Sequence, residues 1–387
     1  MAHVLVIGAG IVGAALAARL SAGGRGWAAD AAHDTRVTVV DDQGPGHGTS
    51  ASSLAWLNAN HTKDPAYFAF RIAALQEWDH LAAQLADPPW YSRNGNVEWA
   101  ETETARAELT ERVERLRARD YAARFVTASE VRAIQPDLQV PSDALIAYFP
   151  TEGFVHGGEA SRALLGLATR NGASVVTGDP VVGLCVRHGS VTGVRLASGV
   201  ELDADVTVCA AGWRTPEVLA SVGHTIPIED VHAPRSPAPC VVATTTAVPG
   251  ALRVVVHAPQ INLRPDTGGT VLLEAADLDA ATEMTTASET LRAWADELLD
   301  RARTVLPPLS RAEVATARRC VRPLPLDGFP LVGWLTDGCY VAVTHSGITL
   351  GPHLARLAAA EIITREAAPE LAAYRPTRPM ARSSEAR

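Results

Sequence analysis

Gly8-Ala9-Gly10-Ile11-Val12-Gly13 sets three glycines at the spacing of a dinucleotide cradle. Gly8 permits a tight turn, Gly10 lets backbone approach a pyrophosphate, and Gly13 lets a helix lie close on a strand. A helix opening at Ile11 and Val12 would aim free N–H groups and a partial positive charge at the phosphates. Asp41, with Asp42 beside it, is spaced to accept ribose hydroxyls, and an acid there disfavours a 2′-phosphate, so NADP is not expected. NAD and FAD both use this cradle, so the motif names a class of ligand and leaves the choice open.

What the chain lacks narrows the chemistry further. Lys63 is the only lysine among 387 residues, which removes most Schiff-base and phosphate-loop mechanisms. Cys185, Cys209, Cys240, Cys320 and Cys339 are odd in number and lack Cys-x-x-Cys spacing. Neither a disulfide framework nor a metal site is expected, and a reducing cytoplasm fits. A net charge of −9 opposes nucleic-acid or anionic-membrane partners, which require clustered cations. The first apolar stretch is broken by Gly8, Gly10 and Gly13, so it reads neither as a signal peptide nor as a membrane span.

Elements must hold the cradle in place. Val4-Leu5-Val6-Ile7 is a short apolar run ahead of the glycines, and the alanine-rich stretch 14–20 follows them: strand, turn, helix. Val37-Thr38-Val39-Val40 leads to Asp41 as a second parallel strand, later than the usual spacing, so residues 25–34 read as a surface insertion. Residues 65–130 carry helical spacing, with a charged amphipathic stretch at 102–119 that reads as a solvated face. A helix at 158–171, short strands at 173–176 and beyond, and the apolar strand Val206-Thr207-Val208-Cys209 follow. Between 216 and 319, strands at 252–256 and 270–273 with a helix at 289–299 suggest a mixed sheet and a second domain. Strand 339–343, a turn at Gly347 and a helix at 353–363 close the chain, with a fraying tail beyond about 367.

Four patches then carry a resemblance. Gly48-Thr49-Ser50-Ala51-Ser52-Ser53 resembles the flavin-contacting segment of the FAD-dependent D-amino-acid oxidase superfamily, which includes glycine oxidase and sarcosine oxidase. The stretch from Gly199-Val200-Glu201 to Ala210-Ala211-Gly212-Trp213 is similar to that family's returning strand and second glycine turn. Arg322-Pro323-Leu324-Pro325-Leu326-Asp327-Gly328-Phe329-Pro330-Leu331-Val332-Gly333 is similar to its Arg-Pro-x-x-x-Asp-Gly-x-Pro-x-x-Gly signature, and 343–352 resembles its closing glycine loop and helix. The order of the patches covers nearly the whole chain.

The resemblance implies an α/β fold: an FAD-binding Rossmann-type (GR2-like) domain from residues 1–60, 150–215 and 321–375, and an α+β substrate domain from 61–149 and 216–320. Residues 376–387 would form a flexible tail. It implies FAD contacts from Thr49, Ser50, Ser53, Val182, Ala211, Gly212, Trp213, Gly347, Ile348 and Thr349, beside the cradle residues. The activity implied is oxidation of a C–N bond of an amine or amino acid, with electrons passing to O2. The alternatives are a dehydrogenase with another acceptor, a nicotinamide enzyme, or a non-catalytic binding protein.

A carboxylate-bearing substrate needs a cation, and a bidentate arginine suits it best. Arg322 falls where the resemblance places that arginine; a salt bridge is its other reading. His345 stands where glycine oxidase has a second arginine, so it either hydrogen-bonds substrate or flavin or packs in a turn. Arg264 faces the cavity or the sheet edge. His61 and Lys63 follow the flavin-contacting segment, where a cation would stabilise reduced flavin. Cys320 lies at the offset of sarcosine oxidase's flavin-linking cysteine, while its surroundings are closer to the glycine oxidase pattern, so non-covalent FAD is favoured over a covalent link. Thr349 replaces sarcosine oxidase's active-site lysine.

Overall fold

The computed structural model describes residues 2–23 and 35–380; the insertion expected at 25–34 lies outside them. The glycine cradle is seated at the centre of a six-stranded sheet. Strand β1, Ala2–Ile7, pairs in parallel with Val206–Cys209 on one side and with β2, Thr35–Asp41, on the other. Ser174–Thr177 extends β2 in parallel, Cys339–Val343 extends the other side, and Leu331–Thr336 closes that edge antiparallel. Val4 to Ile7 are all buried, the continuous apolar run expected of a strand covered on both faces. Helix α1, Ile11–Ser21, with helices Gly157–Arg170 and Gly347–Thr364, covers one face. An antiparallel three-stranded sheet, Val181–Arg187, Ser190–Leu196 and Glu201–Asp203, covers the other.

The second sheet has eight strands and is mixed. Its order is Val314–Val321, Pro239–Thr245, Val271–Glu274, Ile261–Pro265, Val255–Ala258, Asn96–Ala100, Leu145–Phe149, Arg124–Val126. The pairing is antiparallel except between Val255–Ala258 and Asn96–Ala100. Helix Ser288–Val305 buries Leu291, Ala295 and Leu298 against one face, together with Val241, Ala243 and Leu273. Successive strand residues point to opposite faces, so Cys240, Val242, Leu272 and Cys320 pack on the other side.

Three features depart from the sequence expectations. The stretch 65–130 is not all helix: between α3, Pro65–Gln84, and the charged helix Glu103–Arg117 runs the strand Asn96–Ala100, too short to register in a helical window. Helix α3, expected in the substrate part, shares the core of α1, and Trp78 Nε1 donates to Ile348 O at 2.8 Å. The chain beyond 367 does not fray through residue 380. Leu371 and Tyr374 are buried, Arg375 pairs with Glu361, and Arg378 makes a forked pair with Asp327. Two guanidinium–carboxylate anchors outweigh the proline-rich composition there.

Candidate active site

A single cavity of about 790 Å³ runs from the glycine cradle to the inner face of the second sheet. At the cradle, Gly8 has φ +102°, and a side chain on it would meet Ala210 O at 2.5 Å; on Gly13 it would meet Gly8 O at 2.0 Å. Only glycine fits either place. Gly13 therefore packs helix on strand and does not line the cavity, whereas Gly8, Gly10, Ile11 and Val12 do. No side chain caps α1 at Gly10, so its first N–H groups are directed at the opening, with Ile11 N bonded to Ser50 Oγ at 3.0 Å.

Asp41, expected at a ribose, is bonded to backbone here. Its Oδ2 accepts from Ala9 N at 2.7 Å, and its Oδ1 from Gln43 N and Gly44 N at 3.0 and 2.6 Å, which fixes the loop after β2 against the cradle. Asp42 pairs with Arg214, a cavity residue with no sequence motif to announce it. Thr49, Ser50 and Ser53 line the wall, as do Val182, Ala211, Gly212 and Trp213 at this end. Thr49 Oγ1 donates to Val321 O at 2.5 Å, joining α2, Thr49–Ser52, to the second sheet.

The far end is made of side chains from remote segments. Gly347, Ile348 and Thr349 open the final helix onto the cavity; Thr349 Oγ1 donates to Trp56 O at 3.1 Å. Trp56 is held in turn by its Nε1 on Glu152 Oε2 at 2.8 Å. Glu152 is fully enclosed and also receives Asn96 and Tyr121. Burial outweighs those three donors and lifts its pKa to about 7.

Arg322 and His345 both line this end. Arg322 does not stand free: Nη2 meets Asp279 Oδ2 and lies 3.4 Å from Glu274 Oε1. Burial opposes its charge, but Cys240, Glu274 and Asp279 hold it and keep its pKa above the ordinary value. Burial, and Glu274 beside it, raise Asp279 to about 10. Asp279 therefore holds its proton more readily than an ordinary carboxyl, although Arg322 opposes that. His345 is open to the cavity yet enclosed by protein, and that burial, with Arg322 and Arg71, lowers its pKa to about 4. At neutral pH its ring is an uncharged donor and acceptor.

The other two candidates lie elsewhere. Arg264 is buried away from the cavity, bonded to Pro265 O, Asp266 and His156 and set over the ring of Phe154. Its position in an interior strand, Ile261–Pro265, turns it to this network. Lys63 and His61 are exposed and absent from the cavity wall; His61 meets Arg112 and Trp56. Sequence reasoning missed Arg71, which α3 delivers to the wall with two N–H groups on Asn58 O at 2.9 and 2.7 Å and Nη1 on Ser346 Oγ at 2.8 Å. It also missed Glu274, Asp279 and Cys240. No local motif marks them, since only sheet alternation and register bring them together.

The wall suits a flavin dinucleotide. Two helix N-termini, at Ile11 and Gly347, open on it with no cap from the side chain of the preceding residue, and the hydroxyls of Ser53 and Thr344 are enclosed there without a protein partner. Comparison decides the family, since the model for FAD dependent oxidoreductases of the DAO type matches residues 3–361. The chain belongs to that family. Its cofactor is therefore FAD, which sets the nicotinamide alternative aside.

The chain is 26% identical over 393 residues to the uncharacterized oxidoreductase YurR of Bacillus subtilis (strain 168), covering 97% of this chain and 99% of that protein. It is 25% identical over 391 residues to glycine oxidase of Geobacillus kaustophilus (strain HTA426), at 97% and 96% coverage. It is 26% identical over 432 residues to a D-amino acid dehydrogenase of Methylobacterium nodulans (strain LMG 21967 / CNCM I-2342 / ORS 2060), at 96% and 97% coverage. The crystal structure of glycine oxidase from Geobacillus kaustophilus superposes with a TM-score of 0.80 at 22% identity, over 98% of this chain and all of that one. The enzyme is an FAD-dependent oxidoreductase. Among the described residues, no helix is long and apolar enough to cross a membrane.

Proposed function

We propose that the enzyme oxidises the C–N bond of an amine or amino acid and releases an imine that hydrolyses in water, with O2 as electron acceptor. The observation that carries this reading is the meeting, in one cavity with the glycine cradle, of the Arg322 guanidinium and the uncharged His345 ring. When bound, FAD supplies the two-electron chemistry, accepting a hydride from the substrate carbon that bears nitrogen.

This chain's residues supply binding and orientation. Gly8, Gly10, Ile11, Val12 and Asp41 hold the dinucleotide, and the Gly347–Ile348–Thr349 turn offers N–H groups to the ring system. Arg322 orients a substrate carboxylate through N–H groups not used on Asp279. His345 donates or accepts one hydrogen bond without adding charge. Cys320 lies opposite Cys240 across paired strands and is one of the wall's small apolar side chains, so FAD is held without a covalent link.

Anaerobic titration with amines and amino acids while following flavin absorbance tests the reading. Bleaching by a substrate of this class, with recolouring in air and peroxide formation, is the expected result. Slow recolouring that a quinone accelerates would move the enzyme to the dehydrogenase class, which the D-amino acid dehydrogenase relative favours. A flavin that only dithionite bleaches would overturn the proposal.

A further inference from the structure

Two guanidiniums line the reaction end of the cavity, and they differ in what meets them. Arg322 faces Glu274 and Asp279. Arg71 is 7% exposed and has no carboxylate partner among the described residues. Its Nε and Nη2 are bonded to Asn58 O and its Nη1 to Ser346 Oγ, and its central carbon lies 5.6 Å from the centre of the Tyr67 ring. Uncharged oxygens and an aromatic face thus fix the group without cancelling its charge. A buried cation without a counter-ion is costly, and an anion entering the cavity relieves that cost.

The charge balance points the same way. Asp279 is raised to about 10 and His345 is uncharged, so Arg322 and Arg71 together face the single carboxylate of Glu274. An amino acid with one carboxylate enters from neutral water as a zwitterion of no net charge and leaves that excess standing. An amino acid with two carboxylates brings one net negative charge and cancels it. Donors for the second carboxylate are at hand. Each terminal nitrogen of a guanidinium carries two N–H groups, and Arg71 Nη1 uses one of its pair on Ser346. The other N–H and the hydrogen of the Ser346 hydroxyl have no acceptor among the described residues, and both side chains line the wall. They come from α3 and the final loop, whereas Arg322 follows the strand Val314–Val321, so the two guanidiniums offer separate seats, and the ring of His345 feels both.

Resting on the reaction class proposed above, we propose that Arg71, with the Ser346 hydroxyl, is the specificity-determining group that receives a second carboxylate of the substrate. The preferred substrates are amino acids with two carboxylates, ahead of those with one and further ahead of basic ones. One carboxylate lies at the N–H groups of Arg322 not used on Asp279 and the other at Arg71, which holds the nitrogen-bearing carbon from both sides.

The holoenzyme is titrated anaerobically with both enantiomers of aspartate, glutamate, alanine and lysine, with glycine, and with the N-methyl derivative of each. The rate of flavin bleaching gives kcat/KM for reduction. Succinate and acetate, which carry no nitrogen to oxidise, are titrated against the flavin absorbance to give Kd. Aspartate or glutamate is expected to exceed alanine by about 30-fold or more, and lysine by more again, the margin of one added ion pair in an enclosed site. Succinate should bind about tenfold or more tighter than acetate. Arg71→Gln should cost the dicarboxylates about 30-fold more than it costs alanine, through KM, and Arg71→Lys, which keeps the charge, should keep the order. A purely structural role for Arg71 would lower all substrates by one factor, leave the ratio of succinate to acetate unchanged, and overturn the proposal. So would a wild-type enzyme that reduces as well with alanine or lysine as with either dicarboxylate, a result that needs no variant to fold. Bleaching by no member of the panel would sink the reaction class itself, whereas bleaching in the wrong order sinks only the role of Arg71.

Discussion

At the glycine end of the cavity the wall is mostly backbone: turns, helix N-termini and the carboxylate of Asp41 bracing the loop. At the Arg322 end it is side chains from α3, three strands of the second sheet and the final loop, none near another in sequence. Backbone geometry at the first end tolerates little change in any residue it needs but is indifferent to the substrate. Side-chain geometry at the second end tolerates substitution in the fold and answers in specificity. On the proposed function, one end serves the cofactor and the other the reaction.

The sharpest break of that comparison is Gly13→Val. Its Cβ would meet Gly8 O at 2.0 Å, so we expect destabilisation of about 3 kcal/mol or more and loss of FAD from what remains soluble. A yellow protein with unchanged melting temperature would show that the cradle is not rigid. At the other end, Arg322→Ala should leave a yellow protein but lower kcat/KM for flavin reduction by about 100-fold, or ~2.7 kcal/mol. Arg264→Met supplies the contrast: removing a buried partner of Asp266 should lower the melting temperature while kcat/KM stays within about threefold. Equal kinetic losses in the two variants would erase the distinction between cavity and scaffold arginines.

A smaller effect separates the two ends by pH. Glu152, which positions Trp56 at the reaction end, has a folded pKa near 7, above its ordinary value of 4.5. The folded protein retains a proton that the unfolded chain has released. The stabilisation is therefore complete below about pH 4.5 and disappears as pH rises through about 7. Glu152→Gln keeps the neutral form, so the wild type should lose on the order of 3 kcal/mol relative to it between about pH 4.5 and pH 8. Parallel melting curves for the two across that range would mean the carboxylate stays ionised throughout. The smallest expected change is in Cys320→Ser. Acid precipitation should release flavin to the supernatant from wild type and variant alike, and colour retained only in the wild-type pellet would establish a covalent bond.

The first end was legible because its chemistry is local. A strand, three glycines and a helix lie within 21 residues, and Asp41 is one strand further on. The steric demand that fixes Gly8 and Gly13 is the same demand that restricts residue type. Arg322 and His345 were also legible, through segments resembling a known family. Arg264 was indistinguishable from Arg322 by residue type, and its strand turned it into a buried network with His156 and Asp266 instead. Arg71, Glu274 and Asp279 carried no signal: an arginine on a helix and acids near a strand end are common, and nothing local says which face looks on a cavity.

The sequence by itself determined the cofactor cradle, the parallel strands about it and the flavoenzyme family, because each rests on contacts between near neighbours or on motifs that keep their spacing. Tertiary structure decided the charge of the substrate end. Register pairs Cys240 with Cys320, alternation sets Glu274 on the same face as Leu272, and the helix Ala276–Ala281 brings Asp279 behind Arg322. Burial then raises the carboxyl pKa of Asp279 beside that guanidinium. Electrostatics of that kind depends on distance and enclosure, which chain order does not record.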